Sequence, residues 1–111
     1  MSSLVQKRCV PCEGGVSPLT RIHAQECLDG LEKGWEIIAH DKKIRREFLF
    51  KTFLTAMEFV DRVADIAESE NHHPDIHIFF SRVVLELSTH AIGGLSENDF
   101  ILAAKIDQIM R

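Results

Sequence analysis

The stretch DIHIFFSRVVLELSTH, residues 75–90, decides the fold because it predicts a β-hairpin. Its β-branched and aromatic residues favour extended strands, and it contains no helix breaker. The turn is expected near Phe80-Ser81 and carries no glycine, so the predicted register has a margin of one residue. In that register the apolar cross-strand pairs are Ile76 with Leu85 and Ile78 with Val83.

Further elements are predicted on the N-terminal side of this hairpin. Apolar positions three and four residues apart favour a helix over residues 20–33, which Gly34 ends in a left-handed turn. WEIIAH and REFLFKTF then favour two strands of a first hairpin, separated by the polar DKKIR. The basic cluster KKIRR, residues 42–46, is expected to be a solvated turn and strand edge.

Two capping sequences mark the remaining helices. Thr55 with Glu58 is a capping box for a helix that runs to about Glu70, and Ser96 with Asp99 begins a helix that reaches the C-terminus. The resulting order α-β-β-α-β-β-α predicts an α+β fold. We expect a two-layer sandwich, in which helices cover one face of a four-stranded antiparallel sheet.

The last helix is more apolar than one buried face requires, with eight apolar residues among the fifteen from 97 to 111. We expect self-association through this helix to be the reason, and a deep groove within one subunit is the alternative that would give the same pattern.

Length and composition limit the organisation and the partners. A chain of 111 residues fits one domain, residues 19–111, preceded by a flexible N-terminal arm, residues 1–18, rich in small residues. The net charge of −4 argues against a nucleic-acid partner. No apolar run approaches the roughly 18 residues of a membrane span, and no signal segment follows Met1, which indicates a cytoplasmic protein.

The cysteines give only a weak functional signal. Cys9 and Cys12 match C-x-x-C, which occurs in redox pairs and in zinc sites. A redox pair usually begins a helix after a strand, whereas this one lies in the arm. A structural zinc would need a second pair, and the remaining Cys27 lies in the apolar stripe of the first helix.

Three histidines within six positions, His72, His73 and His77, suggest either a metal cage or a proton-transfer site. The hairpin register places His72 and His73 level with residues 88–90, so His90 becomes their neighbour. Adjacent side chains diverge and seldom converge on one ion, whereas imidazole has an ordinary pKa of about 6.5 and suits proton transfer at neutral pH. We therefore favour an acid–base site without metal, and His77 is interpreted as a strand residue.

Asp99, in the first turn of the last helix, could orient one of these imidazoles or serve only as a helix cap. Spacing alone does not separate the two roles. His23 and His40 have no chemical neighbour and are interpreted as ordinary surface or core residues.

ENHHPDI, VVLELSTHAIGGLSENDFILAAKID and the GWE before the first strand closely resemble the pterin-4a-carbinolamine dehydratases. The resemblance runs from about Leu19 to the C-terminus, and CVPCEGG is similar to the leader of bacterial members. It implies an enzyme that converts 4a-hydroxytetrahydropterin to quinonoid dihydropterin and water, without metal or organic cofactor. Such an enzyme recycles the pterin of aromatic amino-acid hydroxylases or serves another pterin pathway.

The resemblance also implies roles for individual residues. Trp35 matches a family tryptophan and is interpreted as a core aromatic, and Glu68 matches a family acid with a structural role. The catalytic residues implied are His72, His73 and His90. The substrate-binding residues implied are Pro74, Thr89, Ala91 and Asp99.

The resemblance implies a small pterin as the binding partner, and it implies no binding to nucleic acid or to a membrane. It also implies a homodimer or homotetramer that forms through a sheet edge and a helix. Some animal members of the family also act as dimerisation cofactors of a homeodomain transcription factor. A protein-binding, coactivator-like module is therefore the alternative function.

Overall fold

The computed structural model of the protein describes residues 4–10 and 17–110, so Cys12, half of the C-x-x-C motif, lies outside the described residues. The order α-β-β-α-β-β-α predicted from the sequence is confirmed. The elements are α1 (Arg21–Asp29), β1 (Glu36–Ile38), β2 (Lys43–Leu49), α2 (Phe53–Glu70), β3 (Asp75–Phe79), β4 (Arg82–Leu87) and α3 (Glu97–Ile109). Two short 3-10 helices, Leu4–Gln6 and His90–Ile92, precede α1 and α3.

The four strands form one antiparallel sheet in the order β1-β2-β4-β3. The predicted register of the second hairpin is confirmed, because Ile76 pairs with Leu85 and Ile78 with Val83. Its turn has two residues between β3 and β4, and Phe80 adopts a left-handed φ of 56° there. The chain therefore makes a tight turn without glycine, and the strand pairing is not shifted from the predicted register.

One face of the sheet forms the core with the helices. Val83, Leu85 and Leu87 alternate along β4 and are fully buried against apolar residues of α2 and α3. Each such side chain contributes about 1.5–3 kcal/mol when removed from water. The intervening positions carry the opposite face, where Glu86 of β4 pairs with Lys43 of β2.

The first helix is shorter than predicted. It ends at Asp29 rather than at Lys33, because the N–H of Gly30 bonds the carbonyls of Cys27 and Leu28 and closes the last turn. Gly34 does adopt a left-handed φ of 117°, but it does so in the loop that leads into β1.

The prediction of a solvated turn and strand edge for the basic cluster at residues 42–46 holds only for Lys42, which is exposed and lies in the turn. β2 begins at Lys43, and it is a central strand paired on both sides. Ile44 is fully buried, and the guanidinium of Arg46 pairs with the buried carboxylate of Asp107 at 2.6 Å. The cluster therefore alternates between core and solvent instead of forming one solvated patch.

The capping predictions have mixed outcomes. α2 is capped by Thr52 rather than Thr55: the Thr52 hydroxyl accepts from the N–H of Thr55, whose own hydroxyl accepts from the N–H of Thr52. A threonine thus fills the position at which the pattern expects glutamate. The predicted end at Glu70 is confirmed, and so is the capping box of Ser96 and Asp99 on α3.

The broad apolar surface of α3 is used within one subunit. Ile101, Leu102, Ala103 and Ile106 are all buried by residues of the same chain. The helix contacts α1, α2 and the 3-10 helix Leu4–Gln6 of the arm. Packing within one subunit therefore accounts for much of this apolar surface, and self-association through the helix stays a prediction.

Among the described residues, no helix is long and apolar enough to cross a membrane.

Candidate active site

A cleft of about 390 Å³ lies where the C-terminal end of α2, the end of β4 and the start of α3 meet. It brings the three predicted histidines together, although 17 positions separate His73 from His90 in the sequence. The residues that line the cleft are Val10, Asn71, His72, His73, Ser88, Thr89, His90, Ala91 and Asn98.

His72 is the most firmly held of the three histidines. Asn71 ends α2 in the left-handed conformation, and the backbone N–H of His72 then bonds the carbonyl of Ala67. This turn points the imidazole at the start of α3, where its Nε2 lies 2.6 Å from Oδ1 of Asp99. The His72 side chain is only 13% exposed and that of Asp99 is fully buried.

Asp99 uses its other carboxylate oxygen for two structural bonds. Its Oδ2 accepts from the Thr89 hydroxyl at 2.9 Å and from the backbone N–H of Ser96 at 3.0 Å. The same side chain therefore caps α3 and contacts the imidazole, which are the two roles that spacing left open. An ionised carboxylate can only accept hydrogen bonds. A neutral His72 therefore carries its proton on Nε2, which donates to Asp99, and its Nδ1 is the hydrogen-bond acceptor.

His73 lies nearer to solvent. Its Nε2 is 2.5 Å from Oε2 of Glu68, and the two side chains are 53% and 78% exposed. Glu68 thus contacts a site histidine across the last turn of α2, in addition to any role in the fold. An ion pair this exposed contributes at most about 1 kcal/mol.

His90 begins the 3-10 helix that follows β4, and it is exposed. The loop that carries it is closed by a bridge between Thr89 and Gly94, whose N–H to carbonyl bonds measure 2.8 and 3.4 Å. Gly93 takes a left-handed φ of 69° at the end of this loop. A second recess of about 210 Å³ adjoins the cleft here and shares Ser88, Thr89 and His90 with it.

The remaining predicted residues take different positions. Thr89 and Ala91 line the cleft, whereas Asp99 lies behind His72, and half-buried Pro74 leads into β3 outside the lining. His77 is confirmed as a strand residue of β3, 3.9 Å from Glu86.

Comparison with known proteins supplies the family. The sequence model of the family described as Pterin 4 alpha carbinolamine dehydratase matches residues 17–109. The chain belongs to this family. A protein of Nitrosomonas eutropha assigned as such a dehydratase is 47% identical over 107 residues, which cover 96% of this chain and 93% of that protein. A second, from Nitrosomonas europaea, is 46% identical over 108 residues, or 97% and 94% of the two chains.

Solved structures agree with the family. The Brucella melitensis protein described as a transcriptional coactivator/pterin dehydratase superposes with a TM-score of 0.78 at 35% identity, covering 84% of this chain and 98% of that one. A pterin dehydratase-like protein described as a RuBisCO assembly factor of the alpha-carboxysome superposes with a TM-score of 0.61 at 20% identity, covering 70% and 90%. The second likeness shows the dehydratase fold alone.

Four residues that line this dehydratase-family cleft are not among the predicted site residues: Asn71, Ser88, Val10 and Asn98. Asn71, Ser88 and Asn98 directly precede predicted residues in the sequence, whereas Val10 has no such neighbour. Val10 belongs to the N-terminal arm, where no periodic pattern points to a contact with the domain. Asn98 follows the cap Ser96 by two residues and looks like an ordinary first-turn residue of a helix. The hydrogen bonds between Val10 and Asn98 join a side-chain amide to a backbone, and no residue pattern encodes such a pair.

Trp35, which also carries the family resemblance, is confirmed as a core residue. It is 6% exposed, packs edge-on against Phe48, and donates its indole N–H to Asp107 at 2.9 Å. Burial raises the pKa of Asp107, although hydrogen bonds from Trp35 and the charge of Arg46 oppose that rise. This cluster is separate from the cleft.

Among residues 4–10 and 17–110, no three His, Cys, Asp or Glu side chains are grouped so that they could hold one metal ion. Burial and the nearby charge of Glu70 raise the pKa of the Cys9 thiol to about 12, so Cys9 is a neutral donor at physiological pH. Its Sγ lies 3.5 Å from the carbonyl oxygen of Asn98.

Proposed function

We propose that this protein is a dehydratase that converts 4a-hydroxytetrahydropterin to quinonoid dihydropterin and water by histidine acid–base catalysis. The observation that carries the proposal is the pair of His72 and buried Asp99 on the wall of a cleft shared with His73 and His90. Membership of the dehydratase family supports the substrate and the reaction.

The reaction needs one acid and one base. The bond from ring carbon 4a to its hydroxyl breaks, and the acid gives the departing hydroxide the proton that makes it water. The base removes the proton of ring nitrogen 5, whose electron pair forms the new double bond to carbon 4a. Two positioned imidazoles suffice, and each such group contributes about 10²–10⁴-fold in rate.

We assign these two roles to His72 and His90 and substrate positioning to His73. Asp99 acts through His72, because it holds Nε2 and leaves Nδ1 for the cleft. The further contacts of the pterin are assigned to Thr89, Ala91 and Pro74, following the family resemblance.

The deciding experiment replaces each histidine by alanine and measures the dehydration of synthetic 4a-hydroxytetrahydropterin. His72→Ala and His90→Ala should each lower kcat by at least about tenfold, a bound set below the roughly 10²–10⁴-fold contribution of a positioned acid or base. His77→Ala is the matched control, since His77 lies on β3 outside the cleft. Wild-type rates in both site variants would remove the acid–base assignment.

Two further measurements address the cofactor and the pathway. Elemental analysis of the pure protein should find no stoichiometric metal, and about one ion per chain would contradict the expectation of a metal-free reaction. Turnover coupled to an aromatic amino-acid hydroxylase tests the recycling role in particular. We place this reaction in the cytoplasm. Within residues 4–10 and 17–110, Cys9 and Cys27 are free thiols, which is consistent with a reducing compartment.

We also propose that the chain self-associates into a homodimer or homotetramer. β3 is an edge strand, and the nearby side chains of Leu49, Phe79 and Phe80 are 70%, 51% and 73% exposed. Exposed apolar groups beside an unpaired edge favour pairing with a second chain. Phe79→Lys should shift the sedimentation coefficient toward the monomer.

A monomeric wild-type protein that instead captures a helical partner on this surface would favour the coactivator-like alternative.

A further inference from the structure

The N-terminal arm contributes a wall to the cleft. Cys9 and Val10 precede residues 17–109, which the family model matches, yet Val10 is among the residues that line the space between the histidines. We propose that Cys9 and Val10, fastened by Asn98 and Glu70, form a built part of the pterin site and set its affinity for the substrate. This inference depends on the proposed dehydratase function.

Asn98 fastens the arm by a two-point contact. Its Oδ1 accepts from the backbone N–H of Val10 at 3.0 Å, and its Nδ2 donates to the carbonyl of Val10 at 2.5 Å. The amide therefore binds the Val10 backbone as a neighbouring strand would, with one donor and one acceptor. Asn98 is only 5% exposed, so these bonds are shielded from water and stronger than surface ones.

Glu70 provides a second attachment one residue earlier. The backbone N–H of Cys9 donates to Oε1 of Glu70 at 2.8 Å, and the ammonium of Lys105 lies 2.6 Å from Oε2. Burial alone would raise the pKa of Glu70, but the bonds from Lys105 and Cys9 hold it below its ordinary value. The carboxylate is thus kept charged at the place where it receives the arm.

Both attachment points stand next to the proposed catalytic pair. Glu70 is the last residue of α2, two positions before His72, and Asn98 immediately precedes Asp99 on α3. The arm therefore bridges the two helix ends that carry the imidazole and its carboxylate. It adds the apolar side chain of Val10, 63% exposed, to a lining that is otherwise mostly polar.

This position suits contact with the flat pterin ring rather than proton transfer. Val10 has no ionisable group, and its methyl groups offer van der Waals contact to a planar ligand. Loss of the wall should therefore weaken pterin binding and raise KM, while kcat stays close to that of the wild type. A positioning role in binding predicts this split, whereas damage to the catalytic pair would lower kcat.

The test compares three variants for binding of 7,8-dihydropterin by calorimetry and for turnover of 4a-hydroxytetrahydropterin. Asn98→Ala removes both bonds to Val10 and should raise Kd roughly fivefold to thirtyfold. Val10→Ala keeps those bonds and trims only the exposed side chain, and it should raise Kd about threefold to tenfold. Lys7→Ala is the control, since Lys7 pairs with Glu97 at the arm's exposed side, away from the cleft.

Each outcome is decisive. Raised Kd and KM in both site variants, with kcat and Lys7→Ala unchanged, support the wall. Wild-type binding by Val10→Ala and Asn98→Ala overturns it while the proposed function stands. Should Asn98→Ala fold poorly, Val10→Ala decides alone, because truncating an exposed valine leaves the fold intact. A wild-type protein that neither binds nor turns over the pterin overturns the proposed function and this inference together.

Discussion

Replacing Asp99 by asparagine is the sharpest perturbation of the proposed mechanism. The amide keeps the size of the carboxylate but has one acceptor and one donor end. Two donors, the Ser96 N–H and the Thr89 hydroxyl, point at the position of Oδ2, so the amide oxygen belongs there. The NH₂ group then faces Nε2 of His72, which must accept rather than donate. The neutral imidazole is forced into the opposite tautomer, and its Nδ1 is no longer an acceptor.

The expected loss of rate follows from the bond that is removed. A hydrogen bond to a charged group contributes about 1.5–3 kcal/mol, and the charged carboxylate stabilises the imidazolium that forms when His72 takes a proton. At 1.36 kcal/mol for each factor of ten, this corresponds to a fall in kcat of roughly tenfold to 150-fold. The cap of α3 survives, because the amide oxygen still accepts from Ser96.

The assay is dehydration of 4a-hydroxytetrahydropterin followed by stopped-flow absorbance, with urea unfolding of the same samples. Ser96→Ala provides the control, since it removes the N-cap oxygen at a cost of about 1 kcal/mol and leaves the Asp99–His72 bond in place. We expect Asp99→Asn to lose activity with little loss of stability, and Ser96→Ala to do the opposite. Full activity in Asp99→Asn would refute the reasoning, because the tautomer and charge of His72 would then be irrelevant to the rate.

Three further predictions concern stability. Despite burial, the hydrogen bonds that Glu70 accepts in the folded state lower its pKa. The ionised carboxylate therefore stabilises the fold above the ordinary glutamate pKa, and this stabilisation is lost as pH falls through the lower pKa of the folded state. Glu70→Gln should therefore melt below the wild type at pH 7 and approach it in acid, as thermal unfolding at both pH values would show. Leu85→Ala, at a fully buried site of β4, should reduce the free energy of unfolding by about 2–5 kcal/mol in urea titrations. Trp35→Phe removes the indole bond to buried Asp107 and should cost about 1–3 kcal/mol in the same assay, without changing dehydration.

The second hairpin shows why part of the fold could be predicted. In the stretch 75–90 one register pairs apolar residues on the core face, and a shift by one residue would turn every side chain to the opposite face. That constraint predicts Ile76 opposite Leu85 and His72 near His90 from the sequence alone, and the structure has both. The position of His90 in the cleft therefore followed from hydrophobic pairing alone.

Elements governed by hydrogen bonds were placed less well. The sequence predicts the start of α2 three residues late, because Thr55 fits the N-cap position of a capping box although it occupies the N3 position. The end of α1 was predicted too late, because Gly30 closes the helix with ordinary right-handed dihedral angles, while Gly34 has the conformation that the pattern seeks. In each case the residue that bounds the helix departs from the common local pattern, whereas a residue three or four positions later matches it.

The arm could not be predicted for a different reason. Its contacts with Asn98 and Glu70 use the backbone of residues 9 and 10, and a backbone group has the same chemistry in nearly every residue. The sequence identifies the side-chain partner of each hydrogen bond but not the backbone group to which it is bonded. An asparagine or glutamate that is buried beside a predicted catalytic residue therefore indicates a hydrogen bond to a backbone group. Only the structure shows that this backbone belongs to residues 9 and 10.

The three histidines of the cleft differ in how far their geometry is fixed before substrate arrives. The His72 ring is held by a buried carboxylate, and the His73 ring by an exposed one. The His90 ring makes no side-chain hydrogen bond within the described part of the chain. Ordering a free side chain on binding costs about 0.5–1.5 kcal/mol, a cost that His72 largely avoids. In the proposed reaction, His72 is therefore suited to the step in which proton position determines the rate. In the same proposal, the His90 ring is free to turn toward the pterin atom that the bound substrate presents.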